Sequence, residues 1–262
     1  MKKTDIDIVP SELESILQEA GAATLQHFRA DLSIENKAGP GAFDPVTQAD
    51  KLAETIIRDR LAEKFPSHSI LGEEFGGELG DGPTWIIDPI DGTRSFMSGM
   101  LHWGVLLGFY DQGEPQFGAM YQPFTQELFW GDNNSATYQR GDDTRVLKVS
   151  PCESLDVATL AATGPEMFSG DEVPRFEAVR DSAQQIRFGG DCYLYALIAM
   201  GQIDIGVESG LNPYDIAALI PIIRGAGGQV TNWSGGSAAL GGQILATGDA
   251  RVHADALKLL NP

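Results

Sequence analysis

Cysteine is scarce, positive charge is in the minority, and long apolar runs are missing. Two cysteines, Cys152 and Cys192, cannot build a disulfide framework, although a single bridge stays open at this level. Lys and Arg number 18 against 37 Asp and Glu, for a net charge of −19. That balance argues against DNA, RNA or an anionic membrane as main partner, because such binding rests on Lys and Arg at phosphate. An anionic ligand would need metal ions or backbone N–H groups to offset the field. No stretch approaches the ~20 apolar residues that span a bilayer. The segment Met1 to Pro10 is charged and does not read as a signal peptide, so a cytoplasmic location is expected. What remains is a chain of 262 residues, 42% hydrophobic and 21% charged, which can bury a sizeable core.

Periodicity divides the chain. Leu13, Ile16, Leu17, Ala20, Leu25 and Phe28 recur at helical spacing, which predicts a helix from Ser11 to Arg29 with Ser11 and Glu14 as a capping box. A Gly/Pro-rich stretch, Gly39 to Pro45, follows. A second helix is expected from Ala49 to Phe65, with Leu52, Ile56, Ile57 and Leu61 inward and Pro66 as its stop. Trp85-Ile86-Ile87 reads as a buried strand. Trp103 to Tyr110 and Gln116 to Tyr121 read as a hairpin, with Glu127 to Trp130 as a third strand. The polar stretch Gly131 to Val149 ends near Pro151, where we place a boundary between an α+β half (1–150) and an α/β half (151–262). In the second half, strands are expected at Leu155–Ala162, Gln185–Phe188 and Ile203–Glu208. Helices are expected at Tyr193–Met200 and from Pro213 through Ile223.

The informative segment is Asp88-Pro89-Ile90-Asp91-Gly92-Thr93, directly after the Trp85–Ile87 strand. Two carboxylates at the end of a buried strand are costly without a partner. Pro89 restricts the residue before it, and Gly92 allows close approach of a ligand. A helix starting at Thr93 would offer free N–H groups to a phosphate. Hard oxygen donors beside an anion site suit a divalent cation such as Mg²⁺. A turn with solvated Asp side chains accounts for the same spacing. Three further acidic clusters stand at Asp44–Asp50, Gly72-Glu73-Glu74 and Asn212–Asp215. Each has an ordinary explanation: Thr47 with Asp50 as a capping box, Glu73 and Glu74 as loop charges, Asp215 as a first-turn acid.

Taken together, these motifs carry a resemblance. Asp44-Pro45-Val46-Thr47-x-Ala49-Asp50, Gly72-Glu73-Glu74, Trp85 to Thr93, and Tyr214-Asp215-Ile216-Ala217-Ala218 with Gly225-Ala226-Gly227-Gly228 resemble the inositol monophosphatase family, in the same order and over nearly the whole chain. The resemblance implies a layered αβαβα fold of the α/β class and a Mg²⁺-dependent phosphomonoesterase site between the two halves, with two or three Mg²⁺ per site. By motif position, Glu73, Asp88, the Ile90 carbonyl, Asp91 and Asp215 would be metal ligands. Asp50 and Thr93 would help activate the attacking water, and Glu73 would hold water at the metal. The N–H groups of Gly92 and Thr93 would hold the phosphate. A homodimer is also implied.

Several positions depart from the inositol-specific pattern: Arg94-Ser95-Phe96 after the central motif, His102-Trp103-Gly104, Asp191-Cys192-Tyr193, and Tyr214 where Trp is usual. These variants are similar to the histidinol-phosphate phosphatase branch, which acts in histidine biosynthesis. Histidinol carries an ammonium and an imidazole, so carboxylates suit its pocket. Asp191 and Glu208 are the candidates, with Arg94 at the rim. Asp191 could equally cap a helix, Glu208 could be a strand-end surface acid, and Arg94 could be an exposed charge. His27 and His253 are expected to be exposed, His68 to shape the Glu73 loop, and His102 to lie near the site. Cys192 is expected to be buried and inert. Two alternatives stay open. One is an inositol monophosphatase or a broad sugar- or nucleotide-phosphate phosphatase. The other, of a different class, is a non-catalytic metal- or phosphate-binding protein.

Overall fold

The computed structural model describes residues 10–30, 34–36, 45–80 and 82–262, and of 34–36, 45 and 46 the backbone alone. Asp44 and most of the Gly/Pro-rich stretch therefore lie outside the described residues.

The chain opens with α1 (Pro10–Leu25), the antiparallel pair β1 (Ile34–Asn36) and β2 (Pro45–Thr47), and α2 (Gln48–Lys64). Proline is pre-set for the first helical position. α1 therefore starts at Pro10, which puts Ser11 and Glu14 both inside the helix, and the expected capping box does not form. The Glu14 carboxylate instead accepts from Gln18 Nε2 at 2.9 Å and Gln139 Nε2 at 3.0 Å. α2 buries Ala49, Ala53, Ile57 and Leu61, a strict i, i+4 stripe, and Leu52, one position off it, is 41% exposed instead of inward.

A seven-stranded sheet follows in chain order: β3 (Ser69–Gly72), β4 (Thr84–Asp91), β5 (Gly104–Asp111), β6 (Glu114–Gln122), β7 (Glu127–Gly131), β8 (Ala136–Arg140) and β9 (Asp143–Val146). β3 and β4 run parallel, and the other neighbours are antiparallel. The short α3 (Thr93–Met97) interrupts the path from β4 to β5. Gln112 and Gly113 both have positive φ in the two-residue turn between β5 and β6, as a twisted hairpin requires. Val105, Leu107 and Phe109 of β5 face α1 and α2, whereas Leu106 faces the opposite side. Both faces of this sheet are thus covered, which explains the unbroken apolar run in β5.

The second sheet is five-stranded, in the order β11-β10-β12-β14-β13. Its elements are β10 (Thr159–Ala162), α4 (Glu172–Ser182), β11 (Gln185–Phe188), α5 (Asp191–Ala199), β12 (Ile205–Leu211), α6 (Pro213–Ile216), α7 (Leu219–Gly225), β13 (Gln229–Asn232), β14 (Gly242–Thr247) and α8 (Ala250–Leu260). The expected helix from Pro213 through Ile223 is two pieces, because Pro221 has no N–H to give the Ala217 carbonyl. The strand expected at Leu155–Ala162 starts only at Thr159, after a 3-10 turn at Leu155–Val157.

Five layers result. α1 and α2 cover one face of the seven-stranded sheet. Its other face, through Leu106, Met120 and Phe129, packs on Leu194 and Ile198 of α5 and Ile220 and Ile223 of α7. α4 and α8 close the far side of the five-stranded sheet with Phe176, Val179, Val252 and Leu260. This is the αβαβα order. The link between α6 and α7 sits directly on glycine: a Cβ at Gly118 would lie 1.8 Å from the Ala218 carbonyl oxygen. That close seat brings Asp215 of α6 down to the C-terminal end of β4. No helix among the described residues is long and apolar enough to cross a membrane.

Candidate active site

β4 carries its first acid into the interior. Asp88 is only 2% exposed, and its Oδ1 accepts the Ile90 N–H at 3.1 Å. The ladder with β5 is irregular between Asp88 and Asp91, so the strand bends there and both acids point toward one region. Gly92 ends the bend at φ +85°. A Cβ there would lie 2.6 Å from the His102 carbonyl oxygen, so the turn admits glycine alone. α3 then starts at Thr93, whose hydroxyl donates to the Ile90 carbonyl at 3.0 Å.

Asp215 arrives from the other half of the chain. The Asn212 N–H donates to its Oδ2 at 2.6 Å and fixes the carboxylate at the head of α6. Carboxylate oxygens of Asp88, Asp91 and Asp215 lie within 4.8 Å of one another. Burial pushes all three pKa values up. Asp88 is raised well above the carboxylate range by burial and then by the charges of Glu73, Asp91 and Asp215. Asp91 is raised well above it by burial and by Asp215, and the Cys192 N–H, at 2.8 Å from its Oδ1, opposes this. Asp215 is pushed up to about 7 by burial, against the Asn212 N–H. Such a group cannot be fully ionised without a cation, and all-oxygen donors are what a hard divalent cation requires. The donor set therefore fits magnesium.

Asp50 borders this group electrostatically. Burial raises its carboxyl to about 6, and the charge of Glu73 adds to the effect. Its Oδ2 takes the Thr47 N–H at 2.8 Å and the Thr47 hydroxyl at 2.6 Å in a capping box. Its Oδ1 is buried without a hydrogen-bond partner among the described residues. Thr93 and Asp50 make no hydrogen bond with each other among the described residues; the Thr93 hydroxyl donates to the Ile90 carbonyl and Asp50 accepts from Thr47.

Glu73 stands beside the three-acid group rather than inside it, and its N–H donates to the Ile87 carbonyl at 3.1 Å. Its loop is built by a residue with no motif signal, Glu54. This side chain is fully buried and takes Arg58 Nε at 2.7 Å. A Cβ at Gly72 would lie 2.0 Å from Glu54 Oε1, which shows how tightly the loop rests on this carboxylate. The one available hint was its place four residues after Asp50, next to the buried stripe of α2.

A cavity of about 160 Å³ opens beside Asp91 and Asp215, lined also by Thr163, Asp191, Tyr195 and Glu208. Glu208 is not a surface acid: it is 3% exposed, with Oε1 taking the Thr163 N–H and Oε2 the Tyr195 hydroxyl, both at 2.8 Å. Burial lifts it to about 7, against those hydrogen bonds. Asp191 opens α5 but does not cap it; its Oδ2 accepts the Ser95 hydroxyl at 2.6 Å. Arg94 is 60% exposed and lies 4.0 Å from the equally exposed Glu166, a surface pair of small energetic weight. Both cysteines are free and buried. The His102 ring lies 6.1 Å from that of Tyr193, and its Nδ1 is buried without a hydrogen-bond partner among the described residues.

Two other histidines behave differently from their sequence context. His253 is 4% exposed, not on the surface, because Thr231 and Thr247 hydroxyls meet its two ring nitrogens at 3.0 Å each. Burial lowers its pKa to about 4. His68 stacks on Phe65 with ring centroids 5.1 Å apart.

Comparison with known proteins follows the same lines. The profile of the inositol monophosphatase family matches residues 8–261. A bifunctional phosphatase, IMPL2, of Arabidopsis thaliana is 34% identical over 99% of this chain and 77% of its own. A histidinol-phosphatase of Mycobacterium tuberculosis is 34% identical, covering 94% of this chain and 95% of its own. Among solved structures, an inositol monophosphatase from Zymomonas mobilis superposes with a TM-score of 0.85 at 33% identity, over 96% of this chain and 97% of that one. With a matching profile over nearly its full length and the acidic group at the end of β4, this chain belongs to the inositol monophosphatase family of phosphatases.

Proposed function

We propose that this phosphatase hydrolyses L-histidinol phosphate to L-histidinol and phosphate, a step of histidine biosynthesis. The observation that carries the reading is Asp191: a carboxylate on the cavity wall, beyond the three-acid group, with one oxygen committed to Ser95 and the other without a hydrogen bond among the described residues. An ammonium or imidazolium group on the alcohol side of the ester meets a charged acceptor there, whereas a neutral polyol gains less from it.

The family is magnesium-dependent in general. Asp88, Asp91, Asp215, Glu73 and the Ile90 carbonyl would hold the cation. Mg²⁺, when bound, supplies positive charge that polarises phosphoryl oxygens and acidifies water. The N–H groups of Gly92 and Thr93, which have no partner inside α3, bind phosphate oxygens. Thr93, through a lone pair of its hydroxyl, orients the attacking water, and Asp50, whose Oδ1 has no partner among the described residues, takes its proton. Water oxygen bonds to phosphorus as the ester oxygen leaves with its electron pair and takes up a proton to give the alcohol, and no phosphate is carried on a side chain.

One observation favours a second reading, an inositol or other polyol phosphate. Glu208 with Tyr195 and Thr163 presents hydroxyl-binding chemistry on the same wall. Parallel measurement of kcat/KM on L-histidinol phosphate and myo-inositol 1-phosphate decides between them. The expected result is a higher value for histidinol phosphate; a higher value for the inositol ester overturns the substrate assignment. Phosphate release that needs Mg²⁺ and stops with EDTA is expected for either ester, and its absence on both would leave only a binding role.

A further inference from the structure

We propose that Ser95 is a positioning residue for specificity: it aims the Asp191 carboxylate at a cationic group on the alcohol side of the substrate, and so sets a preference for phosphate esters of amino alcohols. The inference rests on the reading of Asp191 given above.

Ser95 lies on α3, 96 residues before Asp191 in the chain, and is 7% exposed. Its hydroxyl donates to Asp191 Oδ2 at 2.6 Å, a short bond of the charge-assisted kind. Oδ1 of the same carboxylate takes no hydrogen bond among the described residues, and Asp191 lines the cavity. The bond therefore selects one orientation of the carboxylate and leaves one oxygen for a ligand.

The backbone supports the same reading. Asp191 is held at φ +43°, a region that few non-glycine residues adopt. Strain of this kind persists where the surroundings over-determine it. Here they do so from the turn that carries Asp91. The next residue, Cys192, donates its N–H to Asp91 Oδ1 at 2.8 Å. The missing Cβ of Gly92 would lie 3.1 Å from the Asp191 Cβ. Ser95 comes from the helix that begins one residue after Gly92. One turn thus supplies the metal-ligand candidate, the phosphate-binding N–H groups and the hydroxyl that orients the recognising acid. This ties the cation-binding oxygen at a fixed offset from the phosphate end. A substrate with a cation at that offset engages both, and one without it engages the phosphate end alone.

The test uses the full chain with Mg²⁺ and compares wild type, Ser95→Ala, Asp191→Asn and the double variant. Each is assayed on L-histidinol phosphate and on glycerol 2-phosphate, whose alcohol is neutral. Ser95→Ala is expected to lower the ratio of the two kcat/KM values about tenfold, through KM for histidinol phosphate rather than kcat. Asp191→Asn is expected to lower the ratio at least as far, with the double variant no lower than Asp191→Asn alone. Equal losses on both esters in Ser95→Ala, or additive losses in the double variant, overturn the positioning role. A lowered ratio in Asp191→Asn beside a wild-type ratio in Ser95→Ala removes Ser95 and keeps Asp191. A wild-type ratio in Asp191→Asn removes the reading of Asp191, and the role of Ser95 with it.

Discussion

The buried carboxylate of Glu54 accepts the backbone N–H of Glu74 at 2.7 Å, and through it α2 dictates where Glu73 stands. The same carboxylate takes the Phe75 N–H at 3.2 Å, while Arg58, its ion-pair partner, donates onward to the Gly76 carbonyl. A loop acid is thereby held by a helix, and a loop so fixed can place a side chain with the accuracy that the proposed cation site needs.

Glu54→Gln tests that arrangement. The amide turns N–H groups toward backbone donors and leaves Arg58 without its countercharge. A stability loss of about 3 kcal/mol is expected in chemical denaturation, in the range for breaking one side of a buried pair. The Mg²⁺ concentration for half-maximal phosphate release should rise about tenfold, as for other outer partners of metal ligands. An unaltered Mg²⁺ requirement in a folded variant would show that Glu73 does not depend on Glu54.

Asp88→Asn should abolish phosphate release and leave the fold intact. In EDTA the variant should also melt higher than the wild type. Asp88 is buried among Glu73, Asp91 and Asp215, so without a cation its carboxyl must either take up a proton or stand as a repelled charge, and an amide needs neither. A gain of about 1–3 kcal/mol is the expected scale for deleting an uncompensated buried charge. Wild-type turnover in this variant would sink the metal-ligand assignment, and a lower melting temperature in EDTA would contradict the electrostatics.

The same acids predict a pH dependence that the metal reverses. Burial holds Asp50 at about 6 and Asp215 and Glu208 at about 7, with Asp88 and Asp91 shifted the same way. Unfolded carboxyls titrate near ~4. The folded chain thus binds more protons over that interval. Its stability from these groups is complete below ~4 and is lost as pH rises through ~7. His253 acts oppositely: its folded value of about 4 lies below the ordinary one, so its contribution is lost as pH falls. The difference in Tm between Mg²⁺ and EDTA isolates the cluster. It should widen from pH 5 to pH 8, and a constant difference would mean that the cation does not meet these carboxylates.

The sequence was legible where one local rule decided the outcome. The extent of α2, the apolar β5–β6 hairpin with its Gln112-Gly113 turn, and the Thr47–Asp50 cap all follow from neighbours in the chain, whereas the inward face of α2 was misplaced at Leu52 because small alanines, not the larger Leu52, fill it. It was illegible where tertiary contact decided. β9 has no buried face, so no alternation marks it. α8 buries His253, which reads as a surface residue until Thr231 and Thr247 close on both ring nitrogens. At the site, the acids and the tight turn were visible as a motif. The partners that aim them, Glu54 for Glu73 and Ser95 for Asp191, act across the fold and leave no mark in spacing.

Gly92→Ala tests whether the turn after β4 tolerates any side chain. Two costs coincide there: φ of +85° disfavours an L-residue, and the new Cβ would lie 2.6 Å from the His102 carbonyl oxygen and 3.1 Å from the Asp191 Cβ. Asp191 lines the cavity and the His102 backbone packs on the turn that carries Asp91, so the methyl group must push these groups apart to fit. A destabilisation of about 2–4 kcal/mol is expected, combining backbone strain with overpacking. Since the displaced groups flank Asp91, kcat should fall about a hundredfold, the scale of a 1 Å misplacement at a reacting centre. Gly80→Ala is the matched control, because a Cβ there meets nothing among the described residues within 4 Å. It should stay within about 0.5 kcal/mol of wild type. Equal behaviour of the two variants, in melting and in phosphate release, would mean that the turn has room for a side chain and that its glycine does not shape the site.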